Sequence, residues 1–499
     1  MRQSISAQRL VPLVGAFSRE PAYAGLATAI QLLIGDGRLA PGIKLPSERE
    51  LTDLLGVSRT TVSAAYAQLR DDGYALARHG SGTFTALPAH IDRALDRALM
   101  PGGRLSTAHV DGTIGGAFDG TVIDLNCAAT SAAAGLANAY ARAATEIPGY
   151  LSGHGYFPGG LPALQDGVAR SFSSRGLPTI AEQIIITPGA LSAVAIAAHA
   201  LCARGDKVLV ENPVYPNAAN VMRRLGARFL EAPVVAGNDE GWDIDALADT
   251  IATERPKLAY LVPEFQNPTG HLMTDAQRRA LAEAFARGGT TPIIDEAHHA
   301  LLLDGDAMPA PFASYAPNAI TVGSASKSVW GGLRVGWIRA PLQVVPRLIE
   351  ARLALDLGVP VFEQLVMTHV LDDFEAIISD QHDRLRVQRD ALVDAVTTEL
   401  PDWSFRVPAG GLCLWCELPR PVATHVVAAA ESRGVIVAPG PVFATSGGLN
   451  RFIRIPWTRP AEELASAVSI LADAWRTTLR QSSTDRPAAS DPDQRVMVA

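Results

Sequence analysis

Residues 324–337 read SASKSVWGGLRVGW. One lysine stands behind two serines and ahead of an arginine set among glycines. Lysine is scarce in this chain: only Lys44, Lys207, Lys257 and Lys327 occur. Ser324 and Ser326 are hydroxyl donors suited to phosphate, and the glycines flanking Arg334 let backbone approach an anion. Alone, the cluster also fits an ordinary turn. Its meaning depends on what the rest of the chain sets beside it.

Upstream, short β-branched runs alternate with helical periods. QIIITPGALSAV (183–194) reads as strand, glycine turn and helix. The backbone N–H groups of Gly189, Ala190 and Leu191 would then form an anion site at a helix N-terminus. ENPVYPN (211–217) sets Tyr215 where a ring can stack on a planar ligand. KLAYLVPE (257–264) is a strand followed by the turn NPTG (267–270), whose Asn267 can donate to a phenolate-like oxygen. TPIIDEAHHAL (291–301) ends a buried strand on Asp295, a carboxylate able to pair with a pyridinium nitrogen. Downstream, NRFIRIPW (450–457) offers Arg451 and Arg454 for a carboxylate. Each feature has a bland reading of its own: Pro-Gly turn, capping aspartate, core aromatic, solvated arginine. Together, in this order, they point to one cofactor, pyridoxal 5'-phosphate. The alternation from TVIDLN (121–126) onward predicts an α/β domain with a largely parallel sheet.

The front of the chain is of another kind. LPSERELTDLLGVSRTTVSAAYAQLRDDGYALARHGSGTFTA (45–86) predicts two helices and a hairpin. Ser47 and Glu50 form a capping box, and Leu51, Leu54 and Leu55 give the first helix an apolar face. A tight turn at GVS follows, with Ser58 capping a second helix on which Val62, Ala65, Tyr66 and Leu69 recur with helical period. That is a helix-turn-helix, whose second helix meets the major groove by Arg59, Thr60 and Thr61. The hairpin around Gly80-Ser81-Gly82 is a wing. Over residues 11–86, seven basic residues balance seven acidic ones. Charge alone therefore does not mark a nucleic-acid binder, and few phosphate contacts per monomer favour a dimer on paired half-sites.

Composition sets the outer bounds. The 499 residues are 48% hydrophobic and 19% charged, with a net charge of -8, which excludes a polybasic nucleic-acid binder. Four cysteines make no disulfide scaffold and suit a reducing cytoplasm. Cys413 and Cys416, in GGLCLWCELP (410–419), read as buried strand residues on opposite faces, and no second pair exists for a metal. LVPLVGAF (10–17) and ALSAVAIAAHALCA (190–203) are too short to span a membrane. The boundaries expected are a compact module over 11–86, a linker over 87–120, the α/β domain over 121–480 and a disordered tail over 481–499.

Residues 37–84 resemble the winged helix-turn-helix of GntR-type bacterial repressors. The resemblance implies operator contacts from Arg49, Ser58, Arg59 and Thr61, with Gly80 in the wing. Residues 121–480 are similar to the fold-type-I aminotransferases, with a mixed, mainly parallel sheet and a small C-terminal α+β subdomain. That resemblance implies that Lys327 forms the Schiff base with the cofactor and Asp295 pairs with the ring nitrogen. Asn267 would bond the ring 3'-oxygen, and Tyr215 would stack on the ring. Ser324, Ser326, Arg334 and the backbone at Gly189, Ala190 and Leu191 would hold the phosphate. Arg454 would take a carboxylate of substrate or effector.

Two positions depart from that pattern. The family's tyrosine after the aspartate is replaced by His298, or by Ala297 in a closer spacing. His298 reads equally as a core histidine or as a hydrogen-bond donor to the ring oxygen whose charge varies with pH. In GHGYFPGG (153–160), Gly155 stands where the family has a tyrosine, with Tyr156 beside it. The two resemblances in one chain are the arrangement of the MocR regulators. They imply a homodimeric, cytoplasmic transcription factor that binds operator DNA and answers an amino-compound effector reacting with the cofactor on Lys327. The other open reading is a working aminotransferase with a fused DNA-binding domain. The missing tyrosines favour sensing over turnover.

Overall fold

The computed structural model describes residues 4–35, 39, 42–78, 81–86, 122–235, 241–305 and 307–481. These divide into two compact units. One holds the described residues up to 86 together with Ala132–Thr145, a stretch expected to belong to the α/β domain. The other holds the rest. The expected linker at 87–120 lies outside the described residues, as does all but the first residue of the expected tail.

In the front unit, helices α1 (Ala7–Val14), α2 (Ala22–Gly35), α3 (Glu48–Leu55) and α4 (Arg59–Asp71) precede the hairpin β1 (Ala75–Arg78) and β2 (Gly82–Thr85). Ser47 accepts from the Glu50 N–H while Glu50 reaches back to the Ser47 N–H at 2.8 Å, so the expected capping box starts α3. Gly56 ends α3 in the left-handed region, where a side chain would be strained. Ser58 then caps α4. The buried stripe of α4 is Val62, Ala65, Tyr66 and Leu69, as its period predicts, and the Tyr66 hydroxyl donates to Pro46 O at 2.8 Å. The face of α3 is narrower than expected. Leu51 and Leu55 are buried, but Leu54, at the flank of the same face, is 47% exposed because the covered stripe does not extend that far around the helix. The apolar core begins at Ala7 and Leu10, ahead of the expected boundary at 11.

The second unit is built on a seven-stranded sheet. Its strands are β4 (Ile184–Thr187), β5 (Lys207–Asn212), β6 (Arg228–Pro233), β7 (Leu258–Leu261), β8 (Thr291–Asp295), β9 (Ile320–Ser324) and β10 (Gly336–Arg339). The spatial order is β4-β10-β9-β8-β7-β5-β6. Only β10 runs antiparallel to its neighbours, and the other pairs are parallel. Apart from the edge strand β6, which is partly exposed, the strands read as largely apolar runs because both faces are covered. Ile185, Val208, Tyr260, Ile293 and Val322 pack in one core with the helices Ala190–Leu201 and Pro216–Arg224.

Gly336 lets the sheet close around β10. A Cβ there would lie 2.6 Å from Gly323 O and 2.7 Å from Gly189 Cα, so only glycine admits this approach.

Short strands complete the unit. β3 (Ile123–Asp124) pairs in parallel with β12 (Val435–Ile436). β11 (Cys413–Glu417), β13 (Ala438–Pro439) and β14 (Phe452–Pro456) form a three-stranded antiparallel sheet. The long helices Phe374–Glu399 and Ala461–Gln481 cover this part, and Trp403 meets Trp475 edge-on. This is the expected mixed sheet with a small α+β portion. Cys413 and Cys416 are free, buried strand residues, as read from the sequence. Among the described residues no group of side chains could hold a metal ion, and no helix is long and apolar enough to cross a membrane.

Candidate functional site

The parallel strands all deliver their next residues to one end of the sheet, where ligands bind in open α/β folds. Asp295 ends β8. Ser324 ends β9, with Ser326 and Lys327 just beyond. Asn267 follows β7, Tyr215 follows β5, and Gly189 follows β4. Arg334 precedes β10, which runs the other way and so begins at the same end. These converge on a cavity of about 530 Å³, lined by Ala190, Leu191, Tyr215, Asn267, Asp295, His298, Ser324, Ser326, Lys327 and Arg334 among others. Gly189 sits at the cap of the helix that opens onto it.

One end of the cavity collects groups suited to a phosphate. The helix Ala190–Leu201 starts there with free N–H groups. Arg334 takes a left-handed φ of 51°, and its Nη2 donates to Pro188 O. A Cβ on Gly189 would lie 2.9 Å from that guanidinium, so the glycine keeps the space Arg334 occupies. Ser324 Oγ receives the Ser326 N–H at 3.1 Å and lies 2.8 Å from Ser326 Oγ, which folds the turn before Lys327.

The middle of the cavity holds the titratable groups. Lys327 Nζ donates to Ala128 O at 2.9 Å. Burial lowers its pKa from the usual ammonium value, opposed by Cys127 and Asp295. Asp295 is buried, and its two oxygens accept from the Ala297 N–H at 3.0 Å and the Tyr260 hydroxyl at 2.8 Å. Burial raises its pKa, and those two hydrogen bonds and Lys327 oppose the rise. Tyr215 lines the wall, with its hydroxyl held by Asn217 at 3.0 Å.

Arg454 stands behind Asn267, outside the residues that line the cavity. It is fully buried, donates to Asn267 Oδ1 at 3.1 Å and to Asn126 O, and faces the Phe443 ring. No salt bridge reaches it among the described residues, and its Nε has no hydrogen-bond partner. A buried guanidinium without a carboxylate is a costly arrangement that an anionic ligand would relieve. Because Asn267 Oδ1 is taken by Arg454, the amide N–H₂ is left to face a ligand. Arg451, just ahead of that strand, is exposed and donates to Pro419 O instead.

Of its two readings, His298 comes closer to the core histidine. It lines the cavity, but burial pushes its pKa down to about 3, with the positive charges of Lys327 and Arg454 adding to the effect. The ring is therefore neutral at physiological pH, and its charge does not vary there. Its Nδ1 lies 3.2 Å from Phe265 O, an atom that only accepts, so Nδ1 carries the proton. Nε2 is then an acceptor, not the donor that a replaced tyrosine would have been.

Sequence reasoning missed Tyr260. The signal was a tyrosine inside the apolar strand KLAYLVP (257–263), whose buried hydroxyl must find a partner. Cys127 and Ala129 also line the cavity and were not anticipated.

The residues present fit pyridoxal phosphate. There is an anion cradle at one end, a buried carboxylate in the middle, a buried amine beside it and an unpaired arginine beyond.

The residues expected to contact DNA lie on α3 and around the start of α4. Arg49 and Arg59 are exposed, and Arg59 Nε lies 3.5 Å from Glu48 Oε2. Ser58 Oγ accepts from the Thr61 N–H at 3.1 Å and sits 2.8 Å from Thr61 Oγ1, so its hydroxyl shapes the start of α4. The hairpin is in register from Ala75↔Thr85 to Arg78↔Gly82, and Gly82 is therefore a strand residue. Gly80 lies outside the described residues.

Comparisons with known proteins agree with this two-part architecture. Residues 128–471 match the aminotransferase class I and II family, and residues 22–85 match the gntR family of bacterial regulatory proteins. The 2-aminoadipate transaminase of Thermus thermophilus is 31% identical over 314 residues, 61% of this chain and 78% of that protein. The uncharacterized HTH-type transcriptional regulator YisV of Bacillus subtilis is 27% identical over 422 residues, 82% of this chain and 86% of that protein. The crystal structure of the alpha-aminoadipate aminotransferase LysN from Thermus thermophilus, complexed with N-(5'-phosphopyridoxyl)-L-leucine, superposes with a TM-score of 0.67. It is 26% identical and covers 79% of this chain and 100% of its own.

Proposed function

Because the chain belongs to the aminotransferase class I and II family and carries a GntR-type helix-turn-helix module in front, the MocR arrangement, we propose that it is a pyridoxal-phosphate-dependent transcriptional regulator whose operator binding responds to an amino compound. The observation that carries this reading is the union, in one chain, of an exposed reader helix with a cavity fit for the cofactor.

The cofactor is pyridoxal 5'-phosphate. When bound, it supplies an aldehyde that primary amines attack and a ring that withdraws electrons. Lys327 is the residue that holds it covalently, and burial favours the neutral, nucleophilic form of that amine. Asp295 holds negative charge for the ring nitrogen, steadied by Tyr260 and the Ala297 N–H. Asn267 orients toward the ring oxygen, and Tyr215 covers the ring. Arg334, Ser324, Ser326 and the backbone from Gly189 to Leu191 hold the phosphate. Arg454 gives an incoming ligand its carboxylate partner, which selects amino acids over simple amines. His298 lines the wall as a neutral acceptor.

In the reader, Arg49, Arg59 and Thr61 meet DNA, with Ser58 setting the start of the helix. Two readers in a homodimer supply paired half-sites. The ligand controls DNA binding only if it prefers one arrangement of the chain over another.

The 31% identity to a named transaminase favours a second reading, steady transamination. One experiment addresses both. The cofactor-loaded chain is screened with amino acids for changes in its visible spectrum, and each hit is then tested for its effect on affinity for DNA taken from upstream of the protein's own gene. Hits that change DNA affinity without sustained keto-acid production support the regulator. Sustained turnover with unchanged DNA affinity refutes it in favour of the enzyme.

A further inference from the structure

Behind the cavity wall lies a carboxylate that the proposed function leaves without a role. Glu211, on β5, is fully buried. Its Oε1 accepts from Trp242 Nε1 at 3.0 Å. Its Oε2 accepts from the Val262 N–H at 3.2 Å and from Gln266 Nε2 at 3.1 Å. All three partners are N–H donors, and none of them can accept. A carboxylate satisfies them, whereas a carboxylic acid would turn its own proton toward a donor. Burial pushes the Glu211 pKa up to about 7, and the three N–H groups pull against that rise.

What Glu211 holds is informative. Gln266 Nε2 also donates to Pro213 O at 2.7 Å, and Gln266 Oε1 accepts from Thr269 N at 3.0 Å and Thr269 Oγ1 at 2.8 Å. Gln266 adjoins Asn267, and Pro213 lies just ahead of Tyr215. One side-chain amide therefore ties together the two loops that present Asn267 and Tyr215 to the cavity, and Glu211 anchors that amide. The same carboxylate fixes the exit of β7 through Val262, a residue of the cavity wall.

We propose that Glu211 is a positioning residue for the cofactor, setting where Asn267 and Tyr215 stand against the ring. This rests on the reading of the cavity as the pyridoxal phosphate site. Glu211→Gln keeps the volume but replaces one acceptor oxygen with an N–H₂ group. Either Trp242 or the Val262 and Gln266 pair then faces a donor, and the loops shift.

The test uses the full chain stripped of cofactor and titrated with pyridoxal phosphate. Visible circular dichroism reports the setting of the bound ring, and thermal melting reports the fold. The Glu211→Gln chain is expected to bind about ten-fold more weakly. Its dichroism is expected to differ from the parent's even at saturation, a change that a purely structural role would not produce. If Glu211→Gln fails to fold, Trp242→Phe removes one of the three donors and is expected to show the same change in smaller degree. Parental affinity and dichroism in the folded variants overturn the proposal. So does weaker binding with parental dichroism at saturation. A parent chain that takes up no pyridoxal phosphate would instead sink the cofactor reading, and this inference with it.

Discussion

Arg59 and Arg454 are the same side chain in opposite surroundings. Arg59, at the start of the reader helix, is 77% exposed and rests loosely against Glu48. Arg454 is wholly buried, held by an amide and a backbone carbonyl, and has no counter-ion among the described residues. On the reader surface water and salt screen every charge, so binding is a sum of small terms. In the cavity screening is weak, so one group can decide whether a ligand is held. The contrast predicts all-or-none, salt-insensitive effects in the cavity and graded, salt-dependent effects on the reader.

The largest effect is expected from Lys327→Ala. The chain has three other lysines, and none of them lines the cavity, so no neighbour can substitute. Covalently held cofactor, read as borohydride-fixed label and as visible absorbance, should vanish at any ionic strength, while binding to nonspecific DNA stays. A variant that keeps the parental spectrum would break the cavity half of the comparison.

A smaller, graded effect is expected from Arg59→Ala. Losing one charged contact at a groove should weaken operator binding by about 1–3 kcal/mol and reduce the salt slope by about one. Cofactor uptake should not change. An operator affinity equal to the parent's at every salt concentration would remove Arg59 from the reader.

The same contrast explains what the sequence made legible. Motifs built from consecutive residues could be read directly: the Ser47–Glu50 box, the stripe of α4, the strand-turn-helix at 183–194 and the turn that follows β9. Each is local, and its physics depends on spacing alone. Tyr260 and Glu211 were hidden because their partners, Asp295 and Gln266, lie far off in the chain and meet them only after the sheet is assembled. Even so, a charged residue closing the apolar run KVLVE is a mark that sequence reading can use, since a buried carboxylate must be met by donors. Leu54 failed for the opposite reason. Helical spacing shows which residues share a face but not how wide a face the neighbouring helices will cover. His298 stayed open between two readings in the sequence because its charge depends on burial, which no local pattern records.

The smallest expected effect on the cofactor concerns that histidine, and it sharpens the comparison. Its pKa is held at about 3 against an ordinary value of 6.5, so it stays neutral over roughly pH 5 to 8, where an exposed histidine would titrate. His298→Gln should therefore leave the pH midpoint of the bound cofactor's visible spectrum unchanged across that range, although the band itself can shift. The effect on stability has a definite sign. Below 6.5 the unfolded chain takes up a proton that the folded site refuses. The stability tied to His298 is thus complete above 6.5 and is lost as pH falls toward 3, by up to about 1.4 kcal/mol per pH unit. Glu211 acts the other way: its raised pKa adds stability at low pH that is lost as pH rises through about 7. Only the difference between parent and His298→Gln chains isolates the histidine. Melting curves should show a shallower acid decline in the variant below pH 6.5 and parallel behaviour above it. If the cofactor spectrum instead acquires or loses a transition near neutral pH in the variant, His298 is charged in the parent, and the cavity is wetter than its contrast with the reader surface implies.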